Sequence, residues 1–285
     1  MYRVVEQRPL APRIREYVIS APDVARTAAP GQFVVIRLRE EGERIPLTIV
    51  DTDPVAGTIV LIVQDVGKTT HEMTGIDAGG GVLRDVAGPL GNPTEIDRFG
   101  KVVCVGGGLG IAPLYPIARA LAAVGNVTIG ILGARSREFL FYVDRFREVL
   151  DETFITTDDG SCGRKGTTSD VLRDVLRSND RVDRVWLIGP PIMMKVAAEI
   201  TRPFGVKTVA SLNPLMLDGT GMCGGCRVDV GGRIRFACVD GPEFDAHQVD
   251  FDRLISRLRY YRSEEATSLE RFCARLAMSR GTDTR

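Results

Sequence analysis

Three cysteines, Cys223, Cys226 and Cys238, lie in a glycine-rich stretch in the last quarter of the chain. Thiolates at such spacing bind zinc or iron–sulfur clusters, and both usually take four protein ligands. Plant-type two-iron clusters use the spacing C-x4-C-x2-C with a distant fourth cysteine, and here Asp218 occupies the first position. A carboxylate carries the same single negative charge as a thiolate. We therefore expect Asp218 to complete the ligands of a [2Fe–2S] cluster.

Two other interpretations of this segment remain open. Asp-Gly pairs are common in ordinary turns, so a turn at Asp218 and Gly219 would leave only three ligands. Alternatively, His247 would join the three cysteines in a Cys3His set, which suits structural zinc. The cluster is the favoured interpretation, because the motifs upstream of this segment call for an acceptor of single electrons.

A second glycine-rich stretch, VGGGLGIAP at residues 105–113, stands between a predicted strand and a predicted helix. Glycines at such a junction let the backbone approach a pyrophosphate, and the helix N-terminus attracts negative charge. The G-x-G-x-x-G fingerprint is not met, because Ile111 stands in the third glycine position. A tight turn that packs helix on sheet is the alternative to a dinucleotide site. The expected nucleotide contacts are Gly106, Gly107, Gly108 and Gly110.

Two more predicted strands end in residues suited to a nucleotide. Gly189 and Pro190 follow one strand, and Asp158 and Asp159 follow another. Ligands of open α/β sheets bind at the carboxyl ends of the strands, and acidic side chains there can accept hydrogen bonds from ribose hydroxyls. The alternatives are a helix entered through Pro191 and carboxylates that cap the next segment.

The N-terminal part contains the stretch ERIPLTIVD, residues 43–51. Arg44 carries a planar guanidinium that can clamp a phosphate, and the Thr48 hydroxyl can meet a ring nitrogen. A second stretch, QDVGKTT at residues 64–70, offers a turn with a glycine and two hydroxyls. The candidate cofactor contacts in these two stretches are Arg44, Pro46, Leu47, Thr48, Val66, Gly67, Thr69 and Thr70.

The pattern along the chain predicts three segments. Residues 1–95 contain short Val- and Ile-rich runs bounded by Gly and Pro, which predict an antiparallel β-barrel. In residues 96–212 strands alternate with helices, which predicts a parallel, doubly wound α/β sheet; one helix is expected over residues 136–150. Residues 213–285 hold the cysteine segment and a charged tail, which we expect to be helical from about residue 250.

Composition narrows the class of protein. Lys plus Arg and Asp plus Glu are balanced at 37 each, so the basic excess of a nucleic-acid binder is missing. The longest uncharged run, residues 102–118, contains glycines and prolines and is too short for a membrane span. The first ten residues lack the apolar core of a signal peptide. We expect a cytoplasmic protein whose six cysteines are thiols or metal ligands.

The ordered motifs resemble the ferredoxin–NADP reductase superfamily over roughly residues 1–250. The resemblance implies FAD on the barrel, with Arg44 at the pyrophosphate, Thr48 facing the isoalloxazine, and Gly67 and Thr69 near the phosphates. It also implies NAD(H) on the glycine loop. NADH is expected in preference to NADPH, although an arginine just past the second strand, at 135 or 137, would suit a 2′-phosphate.

The cysteine segment is similar to that of the small (alpha) subunits of NADH-dependent reduced ferredoxin:NADP+ oxidoreductases, also called sulfide dehydrogenase subunits. That family has an aspartate at position 218, whereas the related electron-transfer subunits of dihydroorotate dehydrogenase have a cysteine there. The resemblance implies a heterodimeric oxidoreductase subunit without a catalytic acid or base. It would carry electrons between NAD(H), FAD and the cluster, on to a larger flavin and iron–sulfur subunit, and serve ferredoxin only indirectly. The alternatives are a dihydroorotate dehydrogenase subunit and a non-catalytic nucleotide-binding module with structural zinc.

Overall fold

The N-terminal part of the chain is an antiparallel sheet that nearly closes into a barrel. The computed structural model describes residues 1–178 and 181–282. Runs of Val, Ile and Leu form the strands, because branched side chains suit extended backbone and alternate between the two faces of a sheet. Within the described ranges the strands of this sheet are β1 (Tyr2–Ala11), β2 (Ile14–Ser20), β3 (Phe33–Arg37), β4 (Arg44–Asp53), β5 (Thr58–Gln64), β6 (Val82–Leu83) and β7 (Asp85–Leu90).

The barrel strands follow the spatial order β6-β1-β2-β5-β4-β3-β7, and every neighbouring pair is antiparallel. Inward-facing side chains such as Tyr17, Ile36 and Leu61 are fully buried and fill the interior. Two short helices that the sequence did not predict interrupt the strands, α1 (Pro22–Thr27) and α2 (Lys68–Thr74). The predicted turn at residues 64–70 is therefore a strand end, a link of three residues and the start of a helix.

The second sheet is formed by strands that alternate with helices, as expected. Its first six strands pair in parallel wherever they are neighbours. These strands are β8 (Lys101–Gly107), β9 (Val127–Ala134), β10 (Glu152–Thr157), β11 (Arg164–Lys165), β12 (Arg184–Ile188) and β13 (Lys207–Ser211). The helices between them are α3 (Ile111–Ala123), α4 (Val143–Val149), α5 (Thr168–Arg177) and α6 (Pro191–Thr201).

The C-terminal segment adds a strand to this sheet. A hairpin of β14 (Arg227–Val230) and β15 (Arg233–Phe236) comes first, and β16 (Glu243–Asp245) then pairs with β13 in the antiparallel direction. The spatial order of the sheet is β11-β10-β9-β8-β12-β13-β16. The expected parallel sheet thus has one antiparallel edge. The tail is helical, as predicted, in α7 (Phe251–Leu258) and α8 (Arg262–Thr282); residues 283–285 lie outside the described residues.

The helix predicted over residues 136–150 is present only in its second half. A 3-10 turn covers Arg137–Phe139, and α4 begins after Tyr142, whose φ of 60° is left-handed. The Tyr142 hydroxyl donates a short hydrogen bond to the buried carboxylate of Glu16 on β2, which also pairs with Arg8 at 2.5 Å. This contact with the barrel overrides the helical pattern of the segment.

The barrel and the α/β sheet share a hydrophobic core. Ile14, Val50 and Ile62 of the barrel pack in one cluster with buried residues of α3 and α4. At its edge, Arg119 of α3 donates to the carboxylate of Asp51 at 2.8 and 3.3 Å. The two units are therefore held in one fixed arrangement. Among the described residues no helix has the length and apolar character needed to cross a bilayer.

Candidate cofactor site

A cleft of about 570 Å³ lies between the barrel and the carboxyl ends of the parallel strands. Its walls combine apolar side chains with the backbone of glycine turns, which is typical of cofactor sites. Several residues predicted from the sequence line it. They are Pro46, Leu47, Thr48 and Val66 from the barrel, and Gly107, Gly108, Gly110, Gly189 and Pro190 from the α/β sheet.

The glycines of the 106–110 loop differ in what surrounds them. A Cβ on Gly110 would stand 2.2 Å from the carbonyl oxygen of Ile188, and a Cβ on Gly107 would stand 2.4 Å from the sulfur of Met193. A Cβ on Gly106 would make a tight contact, 3.0 Å from Leu114 and 3.2 Å from Ile111, and Gly106 does not line the cleft. Gly108 alone has a left-handed φ, of 56°, and open space beyond its Cα. Packing therefore explains three of these glycines, and close approach of a ligand is available at Gly108.

The candidate phosphate contacts of the barrel lie beside the cleft. Arg44, Gly67, Thr69 and Thr70 do not line it, but they adjoin Pro46 and Val66, which do. The Thr70 hydroxyl accepts hydrogen bonds from the N–H groups of residues 66 and 67 at 3.0 and 2.9 Å, and so caps the start of α2. The Arg44 side chain is on the surface.

The two aspartates after β10 also lie outside the cleft lining. The Asp159 carboxylate accepts hydrogen bonds from the hydroxyl and N–H of Ser161, at 2.6 and 2.9 Å, and these hold its pKa below the usual value. It therefore caps its own loop, which was the structural alternative. Asp158 is exposed at the end of the strand. Arg137 donates to the carbonyl of Ser161 at 3.1 Å, whereas Arg135 lines the cleft.

Some lining residues were not predicted from the sequence. Ser211 is the last residue of β13, Asn213 and Met216 follow that strand, and Pro242 precedes β16. Since ligands bind where parallel strands end, the rule applied to Gly189 should also have pointed to the residues after β13. Pro242 gave no such signal, because it reaches the cleft only through the antiparallel edge strand.

The cysteine segment brings its donors together in two pairs. The sulfur atoms of Cys226 and Cys238 lie 3.2 Å apart, and both residues are buried. Asp218 accepts the N–H of Cys223 at 2.8 Å, and the N–H of Thr220 binds its other oxygen at 2.8 Å. The hydrogen bonds from Thr220 and Cys223 hold the pKa of Asp218 below its usual value, so the carboxylate is ionised at neutral pH.

The chemical types of these donors suit an iron–sulfur cluster, but their side chains are not arranged around a common centre. Among the described residues, no three His, Cys, Asp or Glu side chains are grouped as they would be around one metal ion. The Asp218 carboxylate serves the loop as a turn residue, and each of its oxygens keeps a lone pair for iron. Burial raises the pKa of Cys238 to about 12, so metal binding at this thiol must release a proton.

His247 does not join the cysteines. Its Nε2 atom lies 2.9 Å from the hydroxyl of Thr201, and Arg202 donates to its carbonyl at 2.8 Å. The structure therefore gives no support to the Cys3His zinc site.

The loop of residues 212–226, which carries Asp218, Cys223 and Cys226 and is called the cluster loop below, begins in the wall of the cleft. Asn213 and Met216 line the cleft, and Asp218 follows two residues later. A Cβ on Gly219 would stand 2.6 Å from Leu90 of β7 and 3.1 Å from Val35 of β3, so the loop lies directly on the barrel. The barrel, the glycine loop of residues 106–110 (the nucleotide loop) and the cluster loop thus meet at one place.

Comparison with known proteins identifies the family to which the chain belongs. Residues 213–250 match the iron–sulfur cluster binding domain of dihydroorotate dehydrogenase B. The dihydroorotate dehydrogenase B (NAD(+)), electron transfer subunit homolog of Thermotoga maritima is 51% identical, over 94% of this chain and 94% of its own. The corresponding electron transfer subunit of Geobacillus thermodenitrificans is 36% identical over 86% of this chain and 96% of its own. The chain belongs to the family of dihydroorotate dehydrogenase B electron-transfer subunits and their homologues.

A solved structure supports the same relationship. The chain is 50% identical to one from the NADH-dependent reduced ferredoxin-NADP oxidoreductase, with a TM-score of 0.90 over 96% of this chain and 98% of that one. Phthalate dioxygenase reductase shares the fold at 16% identity, with a TM-score of 0.58. The expected fold of barrel, α/β sheet and C-terminal iron–sulfur segment is confirmed, and so is the assignment to the oxidoreductase electron-transfer subunits.

Proposed function

We propose that the chain is the electron-transfer subunit of an assembly of the NADH-dependent reduced ferredoxin:NADP+ oxidoreductase type. The observation that carries the proposal is the single cleft in which barrel, nucleotide loop and cluster loop meet. When bound, FAD exchanges a hydride with NAD(H) and single electrons with a [2Fe–2S] cluster. The family supports all three cofactors. The protein binds and orients them, and no side chain serves as a general acid or base.

On the barrel, Pro46, Leu47 and Thr48 would hold the isoalloxazine ring, and the Thr48 hydroxyl could meet a ring nitrogen. The FAD phosphates would lie toward Arg44 and the start of α2, where Thr69 has a hydroxyl donor and the backbone at Gly67 is open to close approach. This proposal follows the order of these residues along the cleft and its rim. Val66 joins the two parts of the site, since it lines the cleft directly before α2.

On the α/β sheet, NAD(H) approaches the backbone at Gly108, with Gly189 and Pro190 forming the opposite turn. NADH is the preferred nucleotide. Of the two arginines that would suit a 2′-phosphate, Arg137 is engaged with Ser161, whereas Arg135 lines the cleft. The proposal of NADH therefore follows the similarity to the NADH-dependent relative. Of the two aspartates after β10, we propose Asp158 for the ribose hydroxyls, because Asp159 is engaged with Ser161.

The cluster ligands in this proposal are Asp218, Cys223, Cys226 and Cys238. Three thiols with one ionised carboxylate keep the charge of an all-cysteine site. Because oxygen is a harder donor than sulfur, we expect this cluster to differ in reduction potential from one with four thiolates. Bound thiolates require a reducing environment, which is consistent with a cytoplasmic protein.

The larger partner subunit docks where the cluster loop reaches the surface. Leu217, Met222 and Tyr260 are 47, 88 and 75% exposed around this loop. Arg227 and Arg257 are exposed beside them and have no acidic partner among the described residues. Exposed aromatic residues, methionine and arginine together are typical of protein interfaces. A larger flavin and iron–sulfur subunit is the partner we propose, and ferredoxin is reached through it.

A dihydroorotate dehydrogenase assembly is the second candidate, because several relatives carry that name. Isolation of the native complex distinguishes the two. Co-purification of a larger flavin and iron–sulfur subunit supports the first, and co-purification of a dihydroorotate-oxidising subunit supports the second.

The nucleotide assignment is tested by Gly108→Val in the holoprotein. A side chain at this open position should raise the KM for NADH at least about tenfold in dye reduction, because it occupies the approach to the backbone. FAD content should not change. Gly205→Val is the matched control, since Gly205 also has a left-handed φ, of 65°, and open space. An unchanged KM in Gly108→Val would contradict the assignment.

A further inference from the structure

Glu43 occupies the donors at the start of α2. Its Oε2 atom accepts the hydroxyl of Thr69 at 2.5 Å, and its Oε1 atom lies 3.2 Å from the ammonium of Lys68. The Thr69 residue is 6% exposed and the Lys68 side chain 18%, so both donors are largely withdrawn from solvent. The sequence did not single out Glu43, although it directly precedes Arg44.

The group that binds these donors is an anion. Burial acts to raise the pKa of Glu43, but the hydrogen bonds from Thr69 and Lys68 outweigh it and hold this pKa below the usual value. The side chain is therefore a carboxylate at neutral pH. A hydroxyl and an ammonium are also the donors that a phosphate group takes. A carboxylate and a phosphate cannot both use the same two donors without strong repulsion.

Glu43 can leave these donors without a change in the fold. Its side chain is 51% exposed, and it lies in the short loop between β3 and β4, where Gly42 donates to Arg39 in a turn. Rotation of the side chain into solvent is enough to free Lys68 and Thr69. Arg44, which follows it, is exposed and has no acidic partner among the described residues.

We propose that Glu43 competes with the FAD pyrophosphate for Lys68 and Thr69 and thereby weakens FAD binding. The inference rests on the proposed function, which puts the FAD phosphates at this end of the barrel. Because the Glu43 carboxylate must be displaced when FAD binds, the affinity of the protein for FAD is lower than Lys68 and Thr69 alone would give. The competitor acts on the phosphates and leaves the isoalloxazine contacts unchanged.

The test compares FAD with riboflavin, which has the ring system and no phosphate. Dissociation constants are measured by flavin fluorescence for the full chain with its cluster. Glu43→Gln should tighten FAD binding about three- to tenfold, as expected for loss of one partly exposed charge. It should leave riboflavin binding within about twofold. Glu41→Gln is the control, because Glu41 lies exposed in the same loop and makes none of the hydrogen bonds or ion pairs of Glu43.

A second variant separates competition from a structural role. Lys68→Gln should weaken FAD binding, and in that background Glu43→Gln should give much less of its gain, because the shared donor is gone. If the wild type binds FAD and Glu43→Gln weakens that binding, or shifts FAD and riboflavin equally, the competition is wrong. If the wild type does not bind FAD, the proposed function fails together with it.

Discussion

The two glycine-rich loops use glycine for different reasons. In the nucleotide loop, Gly110 has an ordinary helical φ of −61°, but a Cβ there would collide with the backbone of β12. In the cluster loop, Gly219, Gly221 and Gly224 all have left-handed φ values, of 77, 85 and 65°. At Gly110 the first loop needs glycine for space, whereas at Gly224 the second needs it for backbone conformation.

The difference follows from the elements that hold each loop. The nucleotide loop is wedged between two buried parallel strands and the start of a helix, so its position is set by packing. The cluster loop lies on the outside of the barrel and must turn repeatedly within a few residues to present its donors. The packed loop therefore tolerates no added atom at Gly110, whereas the turning loop tolerates a small addition at Gly224 at a conformational cost.

The largest effect is expected at Gly110. Gly110→Ala puts a methyl group 2.2 Å from the Ile188 carbonyl oxygen, which belongs to backbone and cannot move aside. We expect the free energy of unfolding to fall by about 3 kcal/mol, the upper part of the range for overpacking. Urea unfolding followed by circular dichroism measures it. A loss below about 1 kcal/mol would show that the loop is less tightly packed than described.

The second largest effect is expected at Asp218, the proposed cluster ligand in the cluster loop. Asp218→Ala should make the cluster labile and weaken iron retention about 10–100-fold or more, because a ligand is lost. Asp218→Cys should retain a two-iron cluster with a changed reduction potential and paramagnetic resonance signal. Iron release to a chelator and visible absorption follow both variants. His247→Ala is the control. Should it lose the cluster while Asp218→Ala keeps wild-type spectra, the carboxylate assignment is wrong.

A third prediction concerns the strand that anchors the cluster segment to the nucleotide sheet. The carboxyl of Glu243 on β16 accepts the Thr94 hydroxyl at 2.7 Å, and burial raises its pKa from 4.5 to about 6. Its contribution to stability is complete below pH 4.5 and is lost as the pH rises through 6, because the unfolded chain ionises first.

Glu243→Gln removes the ionisable carboxyl, and with it the loss of stability as the pH rises through 6. The free energy of unfolding of the variant minus that of the wild type should be about 2 kcal/mol larger at pH 7 than at pH 4, as a pKa shift of this size implies. Chemical unfolding at the two pH values measures the difference, and Glu41→Gln serves as an exposed control. An equal pH dependence in Glu243→Gln and the wild type would show that this carboxyl is not buried on folding.

The smallest effect is expected at Gly224. The nearest atom to a Cβ there is in the ring of Phe236 at 3.7 Å, an ordinary contact, so Gly224→Ala meets only the cost of a left-handed φ. That cost is about 1 kcal/mol. The ratio of the losses in Gly110→Ala and Gly224→Ala, from the same urea experiments, is the direct measure of the contrast between the two loops.

The sequence predicted the parts of the site that depend on local pattern. Strand–glycine–helix junctions and the spacing of Asp218 and the cysteines are local signals, and both loops lie where the pattern put them. Contacts between distant segments gave no such signal. The left-handed Tyr142 is set by Glu16, far away on the barrel, and β16 is set by pairing with β13. Glu43 was missed because its role depends on α2, which the sequence showed only as a turn.

The edge strand β16 has a consequence for how the protein is made. β13 is followed by more than thirty residues before its last neighbour, β16, is synthesised. The nucleotide sheet therefore cannot be completed on the ribosome until the whole cysteine segment has emerged. Because β16 follows all three cysteines, its pairing with β13 fixes both ends of the cysteine segment, residues 212–242, at the same time. The last edge of the nucleotide sheet and the full set of three cysteines therefore become available to the folding chain together.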